Sequence, residues 1–398
     1  MVLSACGRLG FEPVADDAGR QDGDPGDGPG TTCVAQLMLG PSHACARLDN
    51  GALWCWGRND FGQLGNGEIS ATPVAPAQTL AGPYVWVALG LSFTCAIRSP
   101  DQGIDCWGDD TNSQLGSGGT GTSSPRPISL VGGAGAEQIA AGGYQACARI
   151  GTTWSCWGDG DGGQLGDGTA PNRRATPGPI SDPVASELAL ALDQGCAVTP
   201  TASRCWGIND AGQLGADPTA TTDTCTANDT SIKPCSLSGV NPAVPVALTQ
   251  VSLGITHTCA LDVNAQVWCW GDNTFGQLGD GTLTTRSTPQ LVPGLANVIR
   301  IAAGRRHTYA LLTDGTLQAW GDNSDGQLGD GTRNQRPTPQ EVPDVRDVRE
   351  VAVGANGLVA CVRTATNLTC WGRNFDGIIG DTGGADVLSP TNVLPACL

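Results

Sequence analysis

Between Trp157 and Thr169 the chain reads WGDGDGGQLGDGT, with carboxylates at Asp159, Asp161 and Asp167 in a glycine-rich frame. Carboxylates two residues apart, followed by glycine, are how calcium loops begin. Clustered glycines also free backbone N–H groups for a phosphate. A twelve-residue calcium loop would close on Glu, and that place holds Ala170. Elsewhere the same glycine frame returns with its carboxylates replaced or moved: Arg58 and Asn59, Asp109 and Asp110, Ile208 and Asn209, then Asp272, Asp322 and Asp325. A metal site would hold its oxygens fixed, whereas a turn needs only Gly, Asn or Asp able to take positive φ. These loops are expected to set backbone geometry, with no metal and no cofactor.

The chain has 3 histidines, His43, His257 and His307, all in the same G-x-x-H slot. Other repeats carry Phe93, Gln145, Gln194 and Gly357 near that slot. A position that accepts Phe, Gln and Gly suits a hydrogen-bonded structural residue near the inner part of the fold better than a catalytic base. No Ser-His-Asp or Cys-His set is legible, so no catalytic residue is expected.

Composition narrows the class. The 398 residues include 58 Gly, 26 Pro and 17 Cys, with a formal net charge of −17. So much Gly and Pro favours many short strands joined by turns. A surface this acidic repels phosphate backbones, which argues against nucleic-acid binding. Cysteine at this density implies disulfides and an oxidising compartment. No apolar run is long enough for a membrane-spanning helix.

Leu3-Ser4-Ala5-Cys6-Gly7 resembles a bacterial lipobox, in which Cys6 is lipidated. The few residues ahead of Cys6 supply neither a charged nor an apolar leader region, so the match depends on a leader upstream. Residues 1–14 are assigned to this region. Residues 15–32, rich in Asp, Gly and Pro, read as a disordered linker. Residues 33–398 form the folded domain.

That domain repeats. Trp-Gly occurs at Trp56, Trp107, Trp157, Trp206, Trp270, Trp320 and Trp371, in steps of 51, 50, 49, 64, 50 and 51 residues. Each is followed by a second marker: GQLG in five repeats, SQLG from Ser113 and GIIG from Gly377. One unit reads as strands over 298–303, 307–312 and 316–320, the glycine-rich loop, and a short fourth strand near Pro339–Val342, with a hairpin turn at Thr313-Asp314-Gly315. Seven such units cannot bury both faces singly; stacked in a ring they can.

The run GRRHTYALLTDGTLQAWGDNSDGQLGDG at 304–331 resembles the regulator of chromosome condensation repeat family. The resemblance extends over about residues 34–396. It implies an all-β, seven-bladed propeller of four antiparallel strands per blade, the ring closed where its N- and C-terminal ends pair.

The cysteines fit that ring. Cys45 and Cys55, Cys95 and Cys106, Cys147 and Cys156, Cys196 and Cys205, Cys259 and Cys269, and Cys361 and Cys370 each straddle a hairpin turn between the second and third strands. Facing positions in a narrow antiparallel pair are within disulfide range. The sixth repeat holds Tyr309 and Ala319 instead, a large residue facing a small one. Cys225 and Cys235 are expected to staple the insertion at about 216–244. Cys33 and Cys397 align at the seam, where the last repeat meets the first, and are expected to bond.

The insertion is a candidate binding loop, with Asp217, Cys225, Asn228, Asp229, Lys233 and Cys235 as its candidate residues. Trp54, Trp86, Trp154 and Trp268 lie outside the Trp-Gly marker and are assigned to packing. The expected function is that of a non-enzymatic, exported monomer, cell-envelope lipoprotein or extracellular, whose propeller face binds a protein or cell-surface partner. The family resemblance implies an alternative, guanine-nucleotide exchange on a small GTPase. It also implies protein partners generally, since a secreted bacterial member inhibits β-lactamases. A hidden hydrolase or lyase finds no legible residues.

Overall fold

The computed structural model describes residues 33–119, 121–181, 185–199, 202–354, 357–381 and 383–395. They form seven antiparallel sheets, six of four strands and one of five. The fold is a seven-bladed β-propeller. One 3-10 turn, Pro218–Ala220, is the only helical element among the described residues.

The innermost strands are Val34–Leu39, Tyr84–Leu89, Ala136–Ala141, Glu187–Leu190, Leu248–Leu253, Val298–Ala303 and Glu350–Val353. Around the axis they line a central cavity of about 210 Å³. Blade six continues through His307–Leu312, Leu317–Gly321 and Arg336–Glu341. Its fourth strand therefore begins at Arg336, not near Pro339. The reason is a register shift between Ala319 and Gly321, after which Gly321 pairs with Arg336. Pro337 and Pro339 lack an N–H, a loss tolerated on an outermost strand.

The same shift falls at the Trp-Gly marker in every blade. In blade three, Gly158 has φ 100°. A Cβ there would stand 2.3 Å from the Tyr144 carbonyl oxygen. Glycine is needed because the bulged strand presses on the turn beside it.

Cystine bridges join the second and third strands of six blades. Cys45–Cys55, Cys95–Cys106, Cys147–Cys156, Cys196–Cys205, Cys259–Cys269 and Cys361–Cys370 have Cα atoms 4.0 to 4.1 Å apart. Each pair is directly opposed in register, as Cys45 is to Cys55. In blade six Tyr309 faces Ala319. The Tyr309 hydroxyl donates to the Gln327 carbonyl and accepts from Trp371 Nε1 at 3.0 Å. Cys33 is disulfide-bonded; Cys397 and Cys6 lie outside the described residues.

The insertion is not an appended loop. Ile232–Val240 is the outermost partner of Ser203–Ile208, so residues 216–244 contain the fourth strand of blade four. Asp223–Thr226 adds a fifth strand beyond it. Asp223 faces Cys235 and Cys225 faces Lys233, so the Cys225–Cys235 bridge runs diagonally, with Cα atoms 5.8 Å apart.

Seven apolar clusters each fill the space between two neighbouring blades, and an eighth lies under the added hairpin. Six of the marker tryptophans are fully buried and Trp206 nearly so. The second glycine of each GQLG frame lies against the next blade's marker ring. A Cβ on Gly166 would stand 2.5 Å from Trp206 Cε2. The seam between blades seven and one is packed like the others: Ala44, Trp56, Cys361 and Ile378 share one cluster. The two terminal strands stay in separate sheets.

Candidate interaction face

One face of the ring carries both the turn from first to second strand and the long loop from third to fourth strand. We call it the upper face. Its loops are built alike. In blade five, Asn273 Oδ1 accepts from Leu278 N at 3.0 Å, while Asn273 Nδ2 donates to Asp280 at 3.1 Å. Asn59, Asn209, Asn323 and Asn374 make the same bond to Leu64, Leu214, Leu328 and Ile379, and Asp110 makes it to Leu115.

Blade three departs from this pattern, having Gly160 where the amide stands. Asn172 reaches in instead, donating to Asp167 at 2.7 Å. Asp159 accepts from Asp161 N at 3.3 Å and from Gln164 Nε2 at 3.2 Å. Asp109, Asp272 and Asp322 likewise accept from the backbone N–H two residues on, at Thr111, Thr274 and Ser324. These carboxylates hold their own turns. Among the described residues no group of three or more His, Cys, Asp or Glu could hold a metal ion.

The histidines stand at blade interfaces. His43 Nε2 meets Thr94 Oγ1 at 2.9 Å and His257 Nε2 meets Thr308 Oγ1 at 3.0 Å. Each threonine hydroxyl donates onward, to the Gln63 and Gln277 carbonyls. It therefore accepts from the imidazole, which places the proton on Nε2. His307 has no such partner: both ring nitrogens are buried without a hydrogen bond. The residue after Val359 in the next blade is Ala360, not threonine. Val359, opposite Gly372, occupies the slot in blade seven; Gly357, placed there by spacing, lies two residues early. Burial lowers all three histidines, His43 and His307 to about 3 and His257 to about 4.

The added hairpin reaches over this face. Asn228 Nδ2 donates to Asp193 on the inner turn of its own blade. Thr226 N donates to the Asp161 carbonyl in blade three at 3.3 Å. Burial pushes the Asp193 carboxyl up to about 6, against the Asn228 hydrogen bond. Lys233 Nζ pairs with Asp210 at 3.1 Å and Asp229 at 3.4 Å. Hydrogen bonds from Ser231 hold Asp229 down at about 2. Asp217 is set apart, capping the 3-10 turn by accepting from Thr219 N at 2.8 Å. The six candidate residues thus split. Asn228, Asp229, Lys233 and the Cys225–Cys235 bridge form one ordered tip, and Asp217 lies outside it.

The non-marker tryptophans have separate uses. Trp154 Nε1 donates to the Ala185 carbonyl and Trp268 Nε1 to Asp262 Oδ2. Trp86 is on the innermost strand of blade two, lines the central cavity and donates to the Ile139 carbonyl.

The marker pair is what holds the ring. Trp107, Trp157, Trp206, Trp270, Trp320 and Trp371 each donate Nε1 to the Gln carbonyl of the preceding blade's glycine loop: Gln63, Gln114, Gln164, Gln213, Gln277 and Gln327. The distances run from 2.9 to 3.1 Å. Residues 50–97, 264–311 and 314–361 match the regulator of chromosome condensation (RCC1) repeat, and a second description of that repeat matches 34–63, 248–277 and 298–327. Together the matched stretches cover a little under half of the chain. Over 272 residues, 67% of its length, it is 29% identical to the human E3 ubiquitin-protein ligase HERC2, of which the match spans 4%. It is 30% identical over 268 residues to the ultraviolet-B receptor UVR8 of Arabidopsis thaliana, covering 64% of this chain and 57% of that one. The chain thus spans a small part of HERC2 and little more than half of UVR8. Yeast RCC1 (Prp20) bound to Kap60 superposes with a TM-score of 0.70 at 18% identity, over 81% of this chain and 78% of that one. The fold is that of an RCC1-like propeller.

Sequence reasoning missed two features of this face. The repeat pattern hid the fourth strand of blade four inside the insertion, because its register restarts after the bulge. It also gave no sign that arginines gather at one sector. Arg58, Arg305 and Arg373 come from three blades, far apart in sequence, and line one pocket.

Proposed function

We propose that this chain is a non-enzymatic, exported scaffold whose upper propeller face binds a protein or cell-surface partner. The observation that carries this reading is the fifth strand of blade four. It is stapled by its own disulfide and its tip is laid over the glycine loop of blade three. A rigid extension on a rigid ring offers contact surface at little ordering cost. Near the tip Ile232 is 68% exposed, and on the same face Phe375 is 70% exposed. The comparison proteins point to the same use, since yeast RCC1 (Prp20) is described bound to Kap60 and in terms of its binding to Gsp1p and histones. Seven disulfides among the described residues fit an oxidising compartment and weigh against a cytosolic exchange factor. Lipidation at Cys6 and bonding of Cys33 to Cys397 belong to the same proposal.

The test is site-specific photo-crosslinking on cells. A photo-reactive residue at position 232 or 375 is expected to trap one partner. The same residue at Val131, 77% exposed on the opposite face, is expected to trap none. Equal trapping from both faces would overturn the assignment of the face.

A further inference from the structure

We propose that Arg58, Arg305 and Arg373 form a binding pocket for a carboxylate on the upper face, at the sector where blades six, seven and one meet. The pocket is a cavity of about 170 Å³, which Leu91, Leu358 and Asp376 also line.

Three observations converge on it. First, three arginines gather in one pocket of a chain of net charge −17. Arg305 and Arg373 make no ion pair among the described residues, and Arg305 Nε is buried without a hydrogen-bond partner. Arg58 pairs with Asp60 at 2.5 Å and stays about half exposed. Second, the guanidinium groups crowd each other. Burial and then the neighbouring Arg306 and Arg373 act against the charge on Arg305, outweighing Asp325 and Asp322, which favour it. Arg306 lies 4.6 Å over Phe275 and Arg373 lies 5.7 Å over Phe375, so aromatic faces hold them in place. Third, the site is a concave pocket in which Leu91, Leu358, Val359 and Ile378 stand beside the three guanidinium groups.

The ligand class follows from geometry and charge. A guanidinium presents paired N–H donors that match the two oxygens of a carboxylate. Asp376 lies in the pocket, and Arg58 and Arg373 act on its carboxyl against the effect of burial. That resident negative charge disfavours a dianion such as phosphate more than a single carboxylate. Leu91 and Leu358 suit the short apolar stem that carries the group. Such a carboxylate is supplied by a free small acid or by an aspartate or glutamate side chain.

Calorimetric titration of the full chain separates these sources with three ligands: propionate, a blocked tripeptide with a central aspartate, and inorganic phosphate. Propionate and the tripeptide are expected to bind, and Arg305→Gln and Arg373→Gln each to weaken binding about tenfold, the loss of one charged hydrogen-bond partner. Arg346→Gln, an exposed residue paired with Glu341, serves as the control and is expected to change nothing. Tighter binding of the tripeptide would mark a peptide-borne acid as the ligand; tighter binding of propionate would mark a free acid. Phosphate binding tighter than either, or affinity unmoved by both substitutions, would overturn the proposal. The readout needs no protein partner, so it stands or falls apart from the crosslinking result.

Discussion

Trp56 Nε1 donates to the Ile378 carbonyl oxygen at 2.6 Å. The two residues are 322 positions apart, and this bond completes a cycle in which each marker tryptophan reads the loop of the blade before it. Ile378 stands where the other loops have Gln, yet the bond survives because the acceptor is the backbone. Only the N–H of the indole and the close approach allowed by glycine are required.

The seam bond differs in how much else supports it. The Gln277 carbonyl accepts from both Trp320 and Thr308, whereas Trp56 is the one side-chain donor to Ile378 O among the described residues. Trp56→Phe keeps most of the ring volume but leaves that buried carbonyl unpaired, at a cost of about 1–3 kcal/mol. Trp320→Phe is expected to cost less, because Thr308 remains. Urea midpoints of the two variants check the order; equal losses would refute it.

Each hairpin disulfide closes a short loop; Cys259 and Cys269 are 10 residues apart. In the chain-entropy view such a bridge contributes about 2.7 kcal/mol. The Cys259→Ala/Cys269→Ala double variant is expected to lose about that amount in chemical denaturation. A loss below about 0.5 kcal/mol would show that the strand pairing alone holds the blade.

Histidine burial sets a pH dependence. Unfolded histidine titrates near 6.5, while His43, His257 and His307 stay neutral in the fold down to about 3, 4 and 3. Between those limits the unfolded chain binds protons that the fold refuses. The histidine contribution is therefore complete above pH 6.5 and is lost as pH falls toward 4 for His257 and toward 3 for His43 and His307. Asp193, pushed up to about 6, and Glu187, pushed up to about 8, act in the opposite sense, because their folded forms hold a proton that the unfolded chain has released. His43→Gln isolates one histidine, since Gln145 and Gln194 fill the same slot and donate to the next blade's turn at 2.7 and 3.1 Å. Its curve of stability against pH is expected to be flatter than the parent's below 6.5 by up to one proton. Parallel curves would sink the assignment.

Deleting residues 216–244 would remove Ile232–Val240 along with the hairpin tip. The outer edge of blade four would then be bare, and the variant is expected to aggregate or to unfold at much lower urea. Asn228→Ala is the milder probe. Without its hydrogen bond, Asp193 is expected to titrate above its present value of about 6, as read by carboxyl carbon NMR. A carboxyl unchanged in that variant would show that the tip does not rest on the inner turn.

The sequence by itself determined the repeat, the blade count and the hairpin that faces Cys45 with Cys55. These depend on local periodicity and on turn residues a few positions apart, which a single chain displays openly. WGDGDGGQLGDGT was also legible as a turn, because its siblings keep the glycines and change the carboxylates. Tertiary structure alone decided the rest. Whether His307 finds a hydroxyl depends on Ala360 in another blade. Where blade four places its fourth strand depends on a register that restarts after the Trp-Gly bulge. That Arg58, Arg305 and Arg373 share one cavity depends on the ring bringing its last blades against its first. Contacts between blades are set by stacking distance and by which side chains happen to meet there, and no short-range pattern encodes them.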